Sequence, residues 1–235
     1  MQLRQVHDIQ YQLLPGSERR TTDIVIERNG RITVRPPLRM APEQVDATVL
    51  SKRMWIYRNL AEWRDLNAVR ITREWVNGES FLYLGSSYRL QLVLQQDEPL
   101  KLKDGRFCLL RSIVEEGGKE AAHRAVEAFY CAKGLQRLQR RVDFFAARVG
   151  VQAGVVVVKE MGFRWASCLP SGALHFHWKC LMAPLTVIDY IVVHELCHLR
   201  HRDHSDAFWN EVDKVLPDYR SRKEWLRWRG AALDL

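Results

Sequence analysis

Four of the eight histidines of this 235-residue chain fall within one string, His194-Glu195-Leu196-Cys197-His198-Leu199-Arg200-His201-Arg202-Asp203-His204. It contains HExxH. On a helix, imidazoles at i and i+4 share one face, one turn apart, close enough to hold one metal ion between them. Glu195 projects beside them and can reach a water on that ion without itself being a ligand. The chemistry open to such a set is metal-assisted hydrolysis. A zinc ion, Zn2+, would lower the pKa of its bound water and polarise a carbonyl, while the carboxylate takes the water's proton and delivers it to the leaving amine.

A catalytic zinc takes three protein ligands and keeps one position for water. His201 and His204 both compete for the third place. His201 lies on the His194 stripe, but along a straight helix its Cα would be roughly 10 Å from that of His194, too far to converge on one tetrahedral ion. His204 follows His198 by enough chain to leave the helix and turn back. The expected ligands are therefore His194, His198 and His204, with Glu195 as catalytic base and His201 as the alternative third ligand. Zincins with the longer pattern HExxHxxGxxH place their third His at this same offset and turn at a glycine, where this chain has His201. The reversal then needs another residue at positive φ, and Asp203 is the candidate, because Asp tolerates the left-handed region better than most residues.

These groups require a helix under the motif, and Pro184 is suited to its first turn. The apolar run Ile191-Val192-Val193 leads into the motif, and the helix is expected to end near Arg202. Shorter helices fit Ser205–Val215 and Arg220–Arg229. Upstream, strands are expected over 154–158 and at Arg164–Cys168 and Ala173–Trp178, the last two about a turn at Pro170-Ser171-Gly172. A long helix is expected from Glu115 to Arg148, with Gly134 as the point where it could break. The first part of the chain reads as hairpins about Asn29-Gly30, Gly85-Ser86 and Asp104-Gly105, with a helix from Pro42 to Leu66. The division implied is a β-rich N-terminal region with one helix over 1–112 and a helix-plus-sheet domain over 113–235, an α+β protein.

Lys and Arg number 36 against 28 Asp and Glu, a net charge of +8, and 47% of residues are hydrophobic. That excludes a disordered polyelectrolyte. The basic surplus invites a nucleic-acid partner, carried by Arg137, Arg140 and Arg141 or by Arg220, Arg222, Lys223, Arg227 and Arg229 beside Trp225 and Trp228. An amphipathic helix with a solvated Arg face explains the same pattern. Trp209, Trp225 and Trp228 are expected as core anchors. The five cysteines are odd in number and lack paired CxxC spacing, which speaks against a disulfide framework and a structural zinc site. Cys197 falls off the His stripe and reads as a small packed thiol. The N-terminus is polar, and no apolar run approaches about 18 residues. A reduced, cytoplasmic protein with no membrane span is expected.

The string from Val187 through Leu199, His204-Ser205 with Phe208-Trp209, Arg164-Trp165-Ala166-Ser167-Cys168, Leu216-Pro217-Asp218-Tyr219, and Tyr83-Leu84-Gly85 with Tyr88-Arg89-Leu90 together resemble the YgjP-like metallopeptidases, relatives of the SprT-like zincins. Ala166 stands where that family's RWGSC segment has Gly. The resemblance spans about residues 20–230 and is strongest over 164–209. It implies a zincin-like catalytic domain, a mixed sheet plus active-site helix, with three His ligands and a Glu base, acting on a protein or peptide substrate. Two other readings compete: a nucleic-acid-associated zinc protein whose protease activity is directed at DNA-bound proteins, and a metal-dependent hydrolase of a non-peptide amide. Tyr190, Arg164, His175 and Tyr219 could donate to an oxyanion, but packing or surface roles are the default for each.

Overall fold

The computed structural model describes residues 2–18, 21–27, 30–67, 73–162 and 164–235. The chain divides into two compact units, Met1–Arg70 and Ile71–Leu235.

The first unit is built on short alternating strands. β1 (Gln2–Val6), β2 (Ile9–Leu13), β3 (Asp23–Ile26) and β4 (Ile32–Arg35) form a sheet in the order β1-β2-β4-β3. β2 and β4 run parallel, and the other pairs are antiparallel. The expected β3–β4 hairpin forms, although Asn29 in its turn lies outside the described residues. Ile9, Tyr11, Ile32 and Val34 alternate inward and bury themselves with Val45, Val49 and Ile56. The single helix expected over 42–66 is two helices, α1 (Pro42–Ser51) and α2 (Arg53–Asn67), because Lys52 leaves helical geometry at φ −99°, ψ 8°. On α1, Asp46 accepts from Arg4 Nη2 (2.6 Å) and from the Tyr11 hydroxyl (2.5 Å).

In the second unit, β5 (Ser80–Tyr83), β6 (Ser86–Val93), β7 (Leu100–Lys103) and β8 (Arg106–Leu110) form a sheet ordered β5-β6-β8-β7 with β6 and β8 parallel. The turn between β5 and β6 is Leu84-Gly85, one residue earlier than expected; both residues have positive φ, as do Asp104 and Gly105. A two-residue turn of this hand matches the twist of its strands. Gly85 is needed for a second reason. A Cβ there would lie 2.9 Å from the Pro184 Cα, while Leu84 N–H and Gly85 N–H donate to the carbonyls of Leu181 and Met182. The hairpin tip thus holds the segment that enters the HExxH helix.

α3 (Arg111–Val149) begins earlier than expected and kinks at Gly118, not Gly134. Gly134 stays helical, and its missing side chain makes room for Leu181, whose Cδ2 would be 2.9 Å from a Cβ there. β9 (Val156–Lys159), β10 (Ala166–Cys168) and β11 (Leu174–His177) form a second sheet ordered β10-β11-β9, with β9 parallel and β10 antiparallel to β11. A 3-10 turn (Trp178–Met182) leads to α4 (Leu185–Cys197), α5 (Asp206–Val215) and α6 (Tyr219–Arg229).

The compact units part at residue 70, not at 112. The reason is shared burial: Trp75, Phe81, Tyr83, Leu90 and Phe107 from the hairpins lie in one apolar core with Phe129 and Tyr130 of α3 and Ile188, Ile191 and Val192 of α4. The architecture is mixed α+β, with several small mixed sheets. Among the described residues no helix is long and apolar enough to cross a membrane.

Candidate metal centre

α4 is apolar around most of its circumference, so it is a buried strut, with Val187, Ile188, Ile191, Val192, Val193 and Leu196 all in the core. Asp189 ties it to α3 through a two-pronged ion pair with Arg141, at 2.6 and 2.7 Å. Pro184 occupies the N-cap position, and the helix ends at Cys197, earlier than Arg202. Cys197 is fully buried, and burial pushes its thiol up. That is the packed cysteine the stripe argument expected.

The three expected ligand side chains come together. His194 Nε2 lies 3.2 Å from His198 Nε2 and 3.0 Å from His204 Nε2. The candidate donor atoms of the three residues all lie within 4.8 Å of one another. The His201 imidazole is not in this group; its backbone carbonyl sits 2.9 Å from His198 Nδ1. A carbonyl can only accept, so Nδ1 carries the proton and the Nε2 lone pair of His198 faces the other two rings. Phe208, fully buried, forms the floor, with ring centroids 4.9, 4.6 and 4.9 Å from those of His194, His198 and His204. Trp209 stacks on His204 at 5.7 Å and on Tyr219 at 5.4 Å, and Lys223 Nζ lies 4.1 Å from the Trp209 ring centroid.

The donor chemistry fits a zinc-type ion. With bonds of about 2.0–2.1 Å, a tetrahedral centre separates its nitrogens by about 3.3–3.4 Å, and two of the separations here are within a few tenths of that. Burial, followed by the neighbouring His198 and His204, holds His194 well below its ordinary pKa, and burial also lowers His198. The neutral imidazole is the form that ligates. His194 Nδ1 is buried without a hydrogen-bond partner among the described residues.

Glu195 is 6% exposed. Burial pushes its carboxyl up to about 8, opposed by a backbone N–H from Cys168 and by the charge of Arg164. The Cys168 N–H belongs to edge strand β10, so strand and helix meet at this carboxyl. Nothing in the HExxH spacing pointed to that donor. The resemblance of the Arg164–Cys168 segment was the available signal.

The turn to His204 departs from expectation. None of its residues has positive φ, Asp203 included. Asp203 instead accepts from the Ser205 N–H at 3.4 Å, closing a local turn directly after His204. Of the oxyanion candidates, Tyr219 is committed to the Trp209 stack, and Tyr190 packs its ring 5.8 Å from that of His194. Arg164 is exposed and His175 half-buried. His177, on the same strand face as His175, is buried with Nε2 3.0 Å from Glu160. Trp209 and Trp225 are half-buried, whereas Trp228 is 60% exposed and is not a core anchor. Trp225 and Leu226 occupy the inward face of α6 and leave Trp228 outside. Arg141 is paired with Asp189, and Arg222 with Asp218 and the Thr186 carbonyl.

The sequence model of the family described as "YgjP-like, metallopeptidase domain" matches residues 20–229. No curated protein matches the chain. A solved structure, the metallopeptidase zymogen of Pyrococcus abyssi abylysin, is similar at 26% identity; the match covers 40% of this chain and 92% of that one, with a TM-score of 0.36.

Proposed function

Because the chain belongs to the YgjP-like metallopeptidase domain family, we propose that it is a zinc-dependent peptidase of zincin-like design, in which His194, His198 and His204 hold the metal and Glu195 is the general base. The observation that carries the reading is the convergence of three imidazole nitrogens beside a buried carboxyl. When bound, zinc supplies the Lewis acid that polarises the scissile carbonyl and acidifies a water.

The protein's own residues do the rest. Phe208 excludes water from beneath the imidazoles and holds their planes. The Cys168 N–H faces the Glu195 carboxyl, and a carboxylate placed beside the three imidazoles can take a proton from water and hand it to a leaving amine. Among the described residues, strand β10 has a partner strand on one side only. An extended peptide can add to such an edge by main-chain hydrogen bonds, next to the base.

The test is elemental analysis and proteolysis on one preparation. Equimolar zinc and chelator-sensitive cleavage are expected, with Glu195→Gln keeping the metal and losing the cleavage. Wild-type protein that binds no metal after zinc supplementation would overturn the reading.

A nucleic-acid partner is a second reading, favoured by Trp228, which is 60% exposed with the Arg227 guanidinium 5.8 Å from its ring. Aromatic and arginine pairs of this kind stack bases. Salt-sensitive DNA binding weakened by Trp228→Ala and Arg227→Ala is expected, and no binding at low salt would end it.

A further inference from the structure

The chain from His198 to His204 must leave a helix, reverse, and return the third imidazole to the first two. A glycine at positive φ would do this locally. This chain has neither a glycine nor any positive φ between those histidines. The end of α4 tightens instead, with the N–H groups of Arg200 and His201 both donating to the Cys197 carbonyl, at 3.1 and 2.9 Å. From Arg202 to Ser205 the residues are exposed, so apart from the His204 ring against Phe208 and Trp209 little apolar packing holds this segment.

Two arginines flanking His201 reach out of the turn in different directions. Arg200 Nη2 donates to the Gly150 carbonyl at 2.9 Å, and Nη1 donates to Glu211 on α5 at 3.0 Å. Gly150 ends α3 at φ 72°, and a Cβ there would sit 2.8 Å from Arg200 Nη2, so the glycine leaves the seat that the guanidinium occupies. Arg202 Nη1 donates to the Leu169 carbonyl at 3.2 Å and contacts Cys168 Sγ at 3.7 Å, and Nη2 donates to the Pro170 carbonyl at 3.4 Å. These acceptors belong to the end of β10 and the turn after it, adjoining the backbone N–H that holds Glu195.

We propose that Arg200 and Arg202 are positioning residues that replace a glycine turn: they fasten the reversal to α3 and α5 on one side and to the β10–β11 turn on the other, and so deliver His204 to the metal. The proposal rests on the metal-binding reading above. A planar guanidinium fork suits this task, because it meets two acceptors at fixed separation, which a lysine ammonium does not. Arg202 also ties the third ligand to the strand that holds the general base, so one side chain sets the distance between metal and base.

The test measures zinc affinity by competition against a chromophoric chelator, in the wild-type and His204→Ala backgrounds. Arg202→Ala and Arg200→Ala are expected to weaken zinc binding by about 10- to 100-fold each when His204 is present, the range for groups that orient a ligand. In the His204→Ala background the same substitutions are expected to cost nothing further. Arg202→Lys, which keeps the charge but not the fork, is expected to fall between, and it serves where the alanine variant loses its metal-free melting transition. Unchanged affinity, or an equal loss in both backgrounds, overturns the proposal, because a general structural role would not depend on His204. Wild-type protein that binds no zinc defeats the metal reading and this proposal with it, whereas tight wild-type binding with unaffected arginine variants defeats this proposal alone.

Discussion

Asp46 of the first unit and Glu195 of the second are both carboxyls carried on helices beside a small sheet, and their surroundings push them in opposite directions. Asp46 takes two charged hydrogen bonds from Arg4 and one from Tyr11, and those partners, Arg4 foremost, hold it below the usual carboxylate range. Glu195 is more deeply buried, takes one backbone N–H, and is raised to about 8. The first arrangement meets the needs of the ionised group and so fastens β1 and β2 to α1. The second leaves them largely unmet, which costs stability and raises the carboxyl's affinity for a proton. Whether a carboxyl holds a fold together or is left open to chemistry depends on how deeply it is buried and how many donors surround it.

The largest expected effect follows from this contrast. Glu195→Gln should lower peptidase turnover by about 10²- to 10⁴-fold, the span of general-base contributions, with zinc retained, while Asp46→Asn leaves turnover unchanged. Steady-state kinetics on the two variants checks it, and a comparable loss in both would erase the distinction. Next is His204→Ala, expected to weaken zinc by more than about 100-fold, since even residues that only orient a ligand cost about 10- to 100-fold. Titration of metal-free protein reads this directly.

The acid limb separates the units further. The folded pKa of Asp46 is depressed, so its contribution is present above its unfolded value of about 3.9 and is lost as pH falls through the folded value. Urea midpoints for the first unit should therefore drop between neutral pH and pH values below about 4, and Asp46→Asn should flatten that drop. The smallest effect is that of Tyr11→Phe, which removes one hydroxyl donor and should destabilise the first unit by about 1 kcal/mol. Chemical denaturation would resolve it, with no change in zinc affinity.

Local patterns were legible wherever local geometry is decisive. HExxH placed His194, His198 and Glu195 on one helix, and Asp104-Gly105 marked its turn, because both are properties of a few consecutive residues. Gly134 could have broken the helix but stays within it, because its role is set by Leu181, far along the chain. Trp228 stays outside the core, because spacing shows which residues share a face but not which face is covered. The boundary at 112 followed a change from strands to helix, whereas the units part where burial parts.

The sequence by itself determined that two imidazoles share a helical stripe with a carboxyl beside it, since a repeat of about 3.6 residues per turn needs no tertiary contact. It also narrowed the third ligand to His201 or His204. Only the tertiary structure brought His204 to the other two, because the reversal is held by bonds from Arg200 to Gly150, 50 residues away, and from Arg202 to Leu169, 33 residues away. Burial likewise decided the character of Glu195, since the desolvation of a carboxyl depends on everything packed around it and is written in no short stretch of chain.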